Sequence, residues 1–174
     1  RDVAVTGVQT CALPIYPQHR VRLFTNGLLL QKQLEHNPIV NNITQFFISI
    51  DAGSAAVYEQ VRQPGKFHNL IENLNFLKSV VDTTGALVLL KFVLQKDNHA
   101  DMQNFVDLCN RYQFNGVINR LENWGTWADF DSQDVIGNPN HPLHKSAIDN
   151  LKDVYRRHDH KIIFNPSLIT IAQQ

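Results

Sequence analysis

The polar residues with chemical potential in this chain follow directly on apolar runs. Asn26-Gly27 follows VRLFT, Ser49 and Asp51 close QFFISID, and Lys91 interrupts ALVLLKFVL just ahead of Gln95-Lys96-Asp97-Asn98. The stretch NRLENW, from Asn119 to Trp124, follows GVI. A polar group withdrawn from water costs about 2 kcal/mol or more unless it is paired. Such groups therefore meet solvent, a ligand or a helix end. Alternation along a strand puts Ser49 and Asp51 on one face, where a hydroxyl and a carboxylate reach one polyol such as a ribose; each could instead cap the next helix. Asn26-Gly27 reads equally as a turn, because both residues tolerate positive φ. Arg62, just before Gln63-Pro64-Gly65, can hold a carboxylate by a two-pronged fork or sit solvated at a helix end. Lys91 needs either a polar interior or an acidic partner, for which Asp51 and Glu122 are the candidates.

Other chemistries find little support. His141 with His144 and His158 with His160 lack neighbours at zinc-site spacing, so no metal ligands are assigned. Cys109 shares the apolar stripe of a helix and reads as a core thiol. There is no GxSxG elbow, GxGxxG loop or Walker loop. Trp124 and Trp127 could stack a base, plug a barrel mouth or simply pack. No residue is assigned a catalytic role.

The elements that must position these residues alternate between strand and helix, the pattern of an α/β protein with a parallel sheet. Strands are expected at Val21–Thr25, 45–51, 86–94 and 117–121, with a terminal one within 161–171. The second of these is apolar enough to be covered on both faces. Helices are expected at 28–36, at Ala55–Val61 with Ser54 as N-cap, and from Phe67 to a stop at Thr83-Thr84-Gly85. Phe67, Leu70, Ile71, Leu74, Leu77 and Val81 of that helix form one apolar stripe. Asn98 is placed to cap a helix bearing Met102, Phe105, Val106, Cys109 and Tyr112, Asn115-Gly116 reads as a turn, and a last helix spans Leu143 to Tyr155. The connection 122–142 is long for a compact domain, which favours a functional role. Both a doubly wound sheet and part of a β/α barrel fit this series, and both place function at the carboxyl ends of the strands.

Composition narrows the partners. The 174 residues hold 16 Lys+Arg and 16 Asp+Glu, which argues against nucleic acid or a charged membrane surface as partner. No apolar run approaches the roughly 20 residues that span a bilayer. Two cysteines make no disulfide framework, which suits a reducing cytoplasm. Residues 1–16 show no sustained period and resemble translated sequencing-adapter read-through, so they are set aside as an artefactual leader. The domain is then 17–174.

The pieces TNG (25–27), ISIDAGSAAVYEQVRQPGKFHNLIENLNFL (48–77) and KFVLQKDNHADMQNFVDLC (91–109) resemble, in order and spacing, the middle and later part of a radical S-adenosylmethionine (SAM) enzyme core. The likeness runs from Val21 to about Trp127 and is nearest the branch that often carries twitch or SPASM extensions. It implies a partial (β/α)6 TIM-like barrel, of which this α/β chain would supply strands three to six with their helices and a C-terminal extension. It also implies SAM and a 4Fe–4S cluster as cofactors, reductive cleavage to a 5′-deoxyadenosyl radical, an electron donor such as flavodoxin or ferredoxin, and a small-molecule or peptide substrate. The cluster-binding CxxxCxxC and the Gly-Gly-Glu motif are not in this sequence. The resemblance therefore implies an N-terminally truncated core, inactive alone, whose Val21–Thr25 strand is an uncovered edge.

Residue by residue, the resemblance implies that Asn26 and Gly27 match the third-strand Thr-Asn-Gly. Ser49 and Asp51 would match the ribose-contacting pair, Arg62 an arginine near the methionyl carboxylate, and Leu121 the strand end beside adenine. Two other readings stand beside this one: a non-catalytic nucleotide- or sugar-binding β/α module, and a β/α enzyme using Lys91 with Asp51 or Glu122.

Overall fold

A computed structural model describes residues 3–5, 19–125, 127–157 and 161–174. Six parallel strands form one sheet: β1 (Val3–Val5), β2 (Val21–Thr25), β3 (Ile43–Ser49), β4 (Leu87–Leu94), β5 (Asn115–Arg120) and β6 (Ile162–Phe164). They lie side by side in sequence order. A doubly wound sheet requires a reversal of strand order, and none is present among the described strands. With right-handed crossovers throughout, sequential order sends every connecting helix to the same face. The helices are α1 (Leu30–Leu34), α2 (Ala55–Val61), α3 (Phe67–Thr84), α4 (Met102–Tyr112), α5 (His144–Arg157) and α6 (Pro166–Ala172). None among the described residues is long and apolar enough to cross a membrane.

Burial follows that geometry. Along β2 to β5 one alternating row is buried: Val21 and Leu23, Phe46 and Ile48, Val88, Leu90, Phe92 and Leu94, then Gly116 and Ile118. The facing stripe of α3 is Leu70, Leu74 and Leu77, each 0% exposed, and full burial of one such leucine contributes about 2 kcal/mol. The other row is half-buried or exposed: Phe24, Gln45, Phe47, Ser49, Leu89, Lys91, Val93, Val117 and Asn119. The expectation that the strand at 45–51 is covered on both faces is thus corrected. Its apolar look comes from Phe47, which stacks on exposed Phe24 at 4.5 Å on the bare face.

Several boundaries also differ from expectation. Val3–Val5 pairs in parallel with β2, from Val3↔Val21 to Val5↔Leu23, so Val21–Thr25 is not an uncovered edge. The rest of the proposed leader lies outside the described residues. Asn115-Gly116 is not a turn but the start of β5. The turn is made two residues earlier by Gln113, with φ 59, at the end of α4. Gly116 is needed for closeness instead, since a Cβ there would lie 2.9 Å from Cys109 Sγ and 2.8 Å from Ile162 Cδ1. The terminal segment is not one strand but β6 followed by α6, because Asn165 caps the Ser167 N–H and Pro166 starts the helix.

Candidate functional site

Asn26-Gly27 leaves β2 as a tight turn. The Asn26 side chain accepts the Leu28 N–H at 3.2 Å, and Gly27 adopts φ 80. A Cβ at Gly27 would also lie 2.9 Å from Ile48 Cγ2. Conformation and packing both require glycine here. Asn26 itself is exposed at the rim.

Ser49 and Asp51 part company. β3 ends at Ser49, and Asp51 has φ 54, so the alternation that would align them does not extend that far. Ser49 stays half-buried on the bare face, in register with Lys91. Asp51, 8% exposed, turns its carboxylate to the end of β4. Its Oδ1 accepts the Val93 N–H at 2.8 Å, a bond the sheet can no longer provide once β3 has stopped. Arg62 Nη2 lies 2.5 Å from Oδ2. Burial pushes the Asp51 carboxyl above the ordinary aspartate range, opposed by the charge of Arg62, the Val93 N–H and, more weakly, the charge of Lys91. The two side chains assigned separately to a diol and a carboxylate are therefore each other's partners.

Asn98 completes this corner. It is not the cap of α4 but a bridge between the two strand ends, donating to Asp51 O at 2.9 Å and to Val93 O at 2.8 Å. Asp101 is the residue that precedes α4, yet its carboxylate serves another helix. It accepts the Gly53 N–H at 2.6 Å and the Ser54 N–H at 3.0 Å, at the start of α2. Ser54 occupies the N-cap position as expected, but its side chain makes no capping bond. Gly53 permits the approach: a Cβ there would lie 2.0 Å from the Asn104 carbonyl carbon.

The bare face ends in a polar rim. Ser49, Lys91 and Val117 stand in one cross-strand row, with Val93 and Asn119 in the next. Lys91 makes no ion pair among the described residues, and Asp51 is taken by Arg62. Beyond this rim lies a cavity of about 400 Å³ walled by Lys91, Asn119, Arg120, Leu121, Glu122, Trp124 and Trp127. That volume suits a small organic ligand. The cavity offers an ammonium, a guanidinium, a carboxylate, an amide and two indole rings: charges of both signs, donors and acceptors for hydroxyls, and apolar surface for a flat ring.

Signals for this wall were present in the sequence as the NRLENW cluster and the two tryptophans. The pairings Arg120–Asp134 (2.9 Å), Asp51–Arg62 and Asp101 with the start of α2 were not, since each joins residues whose proximity only the fold creates. His141 and His144 turn to the carbonyls of Ser132 and Val135 and brace the 122–142 connection; His158 and His160 lie outside the described residues. Cys109 is buried beneath β5. Among the described residues no group of three His, Cys, Asp or Glu side chains is arranged to hold a metal ion.

No family model and no curated protein matches the chain. Its fold is similar to that in the crystal structure of Streptococcus suis SuiB bound to S-adenosylmethionine, with a TM-score of 0.52 at 14% identity. The match covers 93% of this chain and 35% of that one, so the chain spans about a third of its solved neighbour's length. At this identity the likeness is one of fold.

Proposed function

We propose that the chain is part of a radical SAM enzyme core, a partial (β/α)6 barrel wall whose bare strand face holds the adenosyl end of SAM. The observation that carries this reading is the singly covered sheet. Its open face ends, at the carboxyl side of β3 to β5, in Ser49, Lys91, Asn119 and an indole-lined cavity. The fold likeness to SAM-bound SuiB supports the same reading.

The available side chains suit an adenosyl group. The Ser49 hydroxyl and Asn119 amide can pair ribose hydroxyls, the Lys91 ammonium, without an ion pair among the described residues, can meet a carboxylate, and Leu121 with the two indoles can border a purine ring. Asn26-Gly27 shapes the rim from the neighbouring strand end. Asp51 and Arg62 act in this reading by fixing the β3 and β4 ends, because the Asp51 carboxylate is already held by Arg62 Nη2 and the Val93 N–H. Bound SAM, given one electron by a reduced 4Fe–4S cluster, would part into methionine and the 5′-deoxyadenosyl radical that abstracts substrate hydrogen. The residues described here do not fit a 4Fe–4S cluster, whose ligands are thiolates, since the described cysteine is buried within the α4–β5 packing. CxxxCxxC does not occur in this sequence.

Calorimetry with SAM, S-adenosylhomocysteine, 5′-deoxyadenosine and methionine tests the binding claim. The three adenosyl compounds are expected to compete for one site, with methionine alone far weaker. Absence of saturable SAM binding by the folded chain would overturn the reading. Release of 5′-deoxyadenosine by a complete protein carrying the cluster, under reducing conditions, would separate an enzyme core from a plain nucleotide-binding module.

A further inference from the structure

Besides Asp51–Arg62, the rim holds a second ion pair, whose arginine, Arg120, lies on the cavity wall. Arg120 ends β5, and its Nη2 lies 2.9 Å from Oδ2 of Asp134, across a sequence separation of 14. Asp134 is 3% exposed, and its other oxygen accepts the N–H groups of Ile136 at 3.3 Å and Gly137 at 2.8 Å. A Cβ at position 137 would lie 1.7 Å from Arg120 Nη2 and 2.1 Å from Asp134 Oδ2. The guanidinium thus occupies a notch that a glycine leaves open.

This pair joins positions 120 and 134, which flank segment 121–133. The far end is anchored independently. Lys96 N–H donates to Gln133 O at 3.0 Å, His141 and His144 hold the Ser132 and Val135 carbonyls, and Val135 is 0% exposed. The near half carries Leu121, Glu122 and both tryptophans of the chain, all on the cavity wall. Trp124 is 78% exposed and Trp127 41%, so neither is fixed by burial in the core.

We propose that Arg120 and Asp134 are positioning residues for the cavity: their ion pair closes segment 121–133 and sets Trp124 and Trp127 as an aromatic wall for the flat ring of the ligand. The identity of that ligand rests on the function proposed above; the closure does not.

The test reads both parts separately. In a Trp124→Phe background Trp127 is the single tryptophan, and acrylamide quenching reports its exposure. Arg120→Gln removes the pair, whereas Gly137→Ala leaves both partners and expels the guanidinium from its notch, so one variant covers for misfolding of the other. Both are expected to raise Trp127 quenching. In the background with both tryptophans they are expected to weaken SAM binding about tenfold, the scale of one lost charge-assisted contact. Arg120→Lys, which keeps the charge, recovers most of both effects. Unchanged quenching in the folded variants, or altered quenching with unaltered SAM affinity, overturns the proposal. If the unsubstituted chain binds no SAM, the ligand reading fails alone and the quenching comparison still decides the closure.

Discussion

Arg62 Nη2 lies 2.5 Å from Asp51 Oδ2, at the point where β3 has ended and β4 continues. The pair joins the end of α2 to the carboxyl rim of the sheet. The aspartate also replaces the missing strand by accepting the Val93 N–H. Two residues that look like independent ligand contacts in the sequence thus form one structural unit beneath the site.

That unit has a pH signature. Burial raises the Asp51 carboxyl above its unfolded range, so the folded state binds that proton more tightly. Its contribution to stability therefore falls as pH rises from the ordinary aspartate range through the raised native value. Arg62 is the strongest influence opposing the shift. Arg62→Met is expected to cost about 2 kcal/mol above the raised Asp51 range, and progressively less on acidification through it. Urea unfolding of both proteins across this range checks it; a gap that stays constant or widens toward low pH contradicts the assignment.

Gly53 faces backbone rather than a movable side chain. A Cβ there would lie 2.0 Å from the Asn104 carbonyl carbon and 2.1 Å from the Phe105 nitrogen. Gly53→Ala is expected to cost about 3 kcal/mol, because α4 must shift. Gly85→Ala provides the comparison, with φ 71 but nothing within 4 Å of the added methyl, and a cost of about 1 kcal/mol. Equal unfolding midpoints for the two variants would refute the close approach.

The start of α2 is capped from another helix. Asp101→Ala removes the acceptor for the Gly53 and Ser54 N–H groups and is expected to cost about 1–2 kcal/mol. Ser54→Ala, at the N-cap position itself, is expected to change stability by less than about 0.5 kcal/mol, since its side chain caps nothing. Thermal melts that rank the two the other way round would show that Ser54 is the true cap.

How much of this was legible follows from the range of each interaction. Helical periodicity and local stop signals placed Ala55–Val61 at its observed bounds, found the apolar face of α4 but started that helix too early at an Asn98 cap, and put Gly85 at the left-handed end of α3. Local ambiguity misplaced Asn115-Gly116, because glycine marks a tight packing contact as readily as a turn. The Asn165-Pro166 signal for α6 was present in the sequence but was absorbed into an apolar run. The sequential order of the strands, the bare face it creates and the Arg120–Asp134 closure depend on crossings that no residue spacing encodes. The rim residues were therefore found as a set, while their partners were not.

Lys91 separates a ligand role from a structural one. It stands on the bare face with no ion pair among the described residues, so Lys91→Met is expected to leave stability within about 0.5 kcal/mol. The same change is expected to weaken SAM binding about tenfold through the lost ammonium contact. Calorimetry and urea unfolding on one preparation give both values. A large stability loss would mean that the ammonium has a structural partner instead.

The placement of the ligand is decided most directly by a crystal structure of the chain grown with SAM. The adenosyl group is expected at the carboxyl ends of β3, β4 and β5, on the face away from α3 and α4, within contact of Ser49, Lys91, Asn119 and Trp127. Density for SAM on the helical side of the sheet, or a bare face left empty at saturating SAM, would contradict the reading.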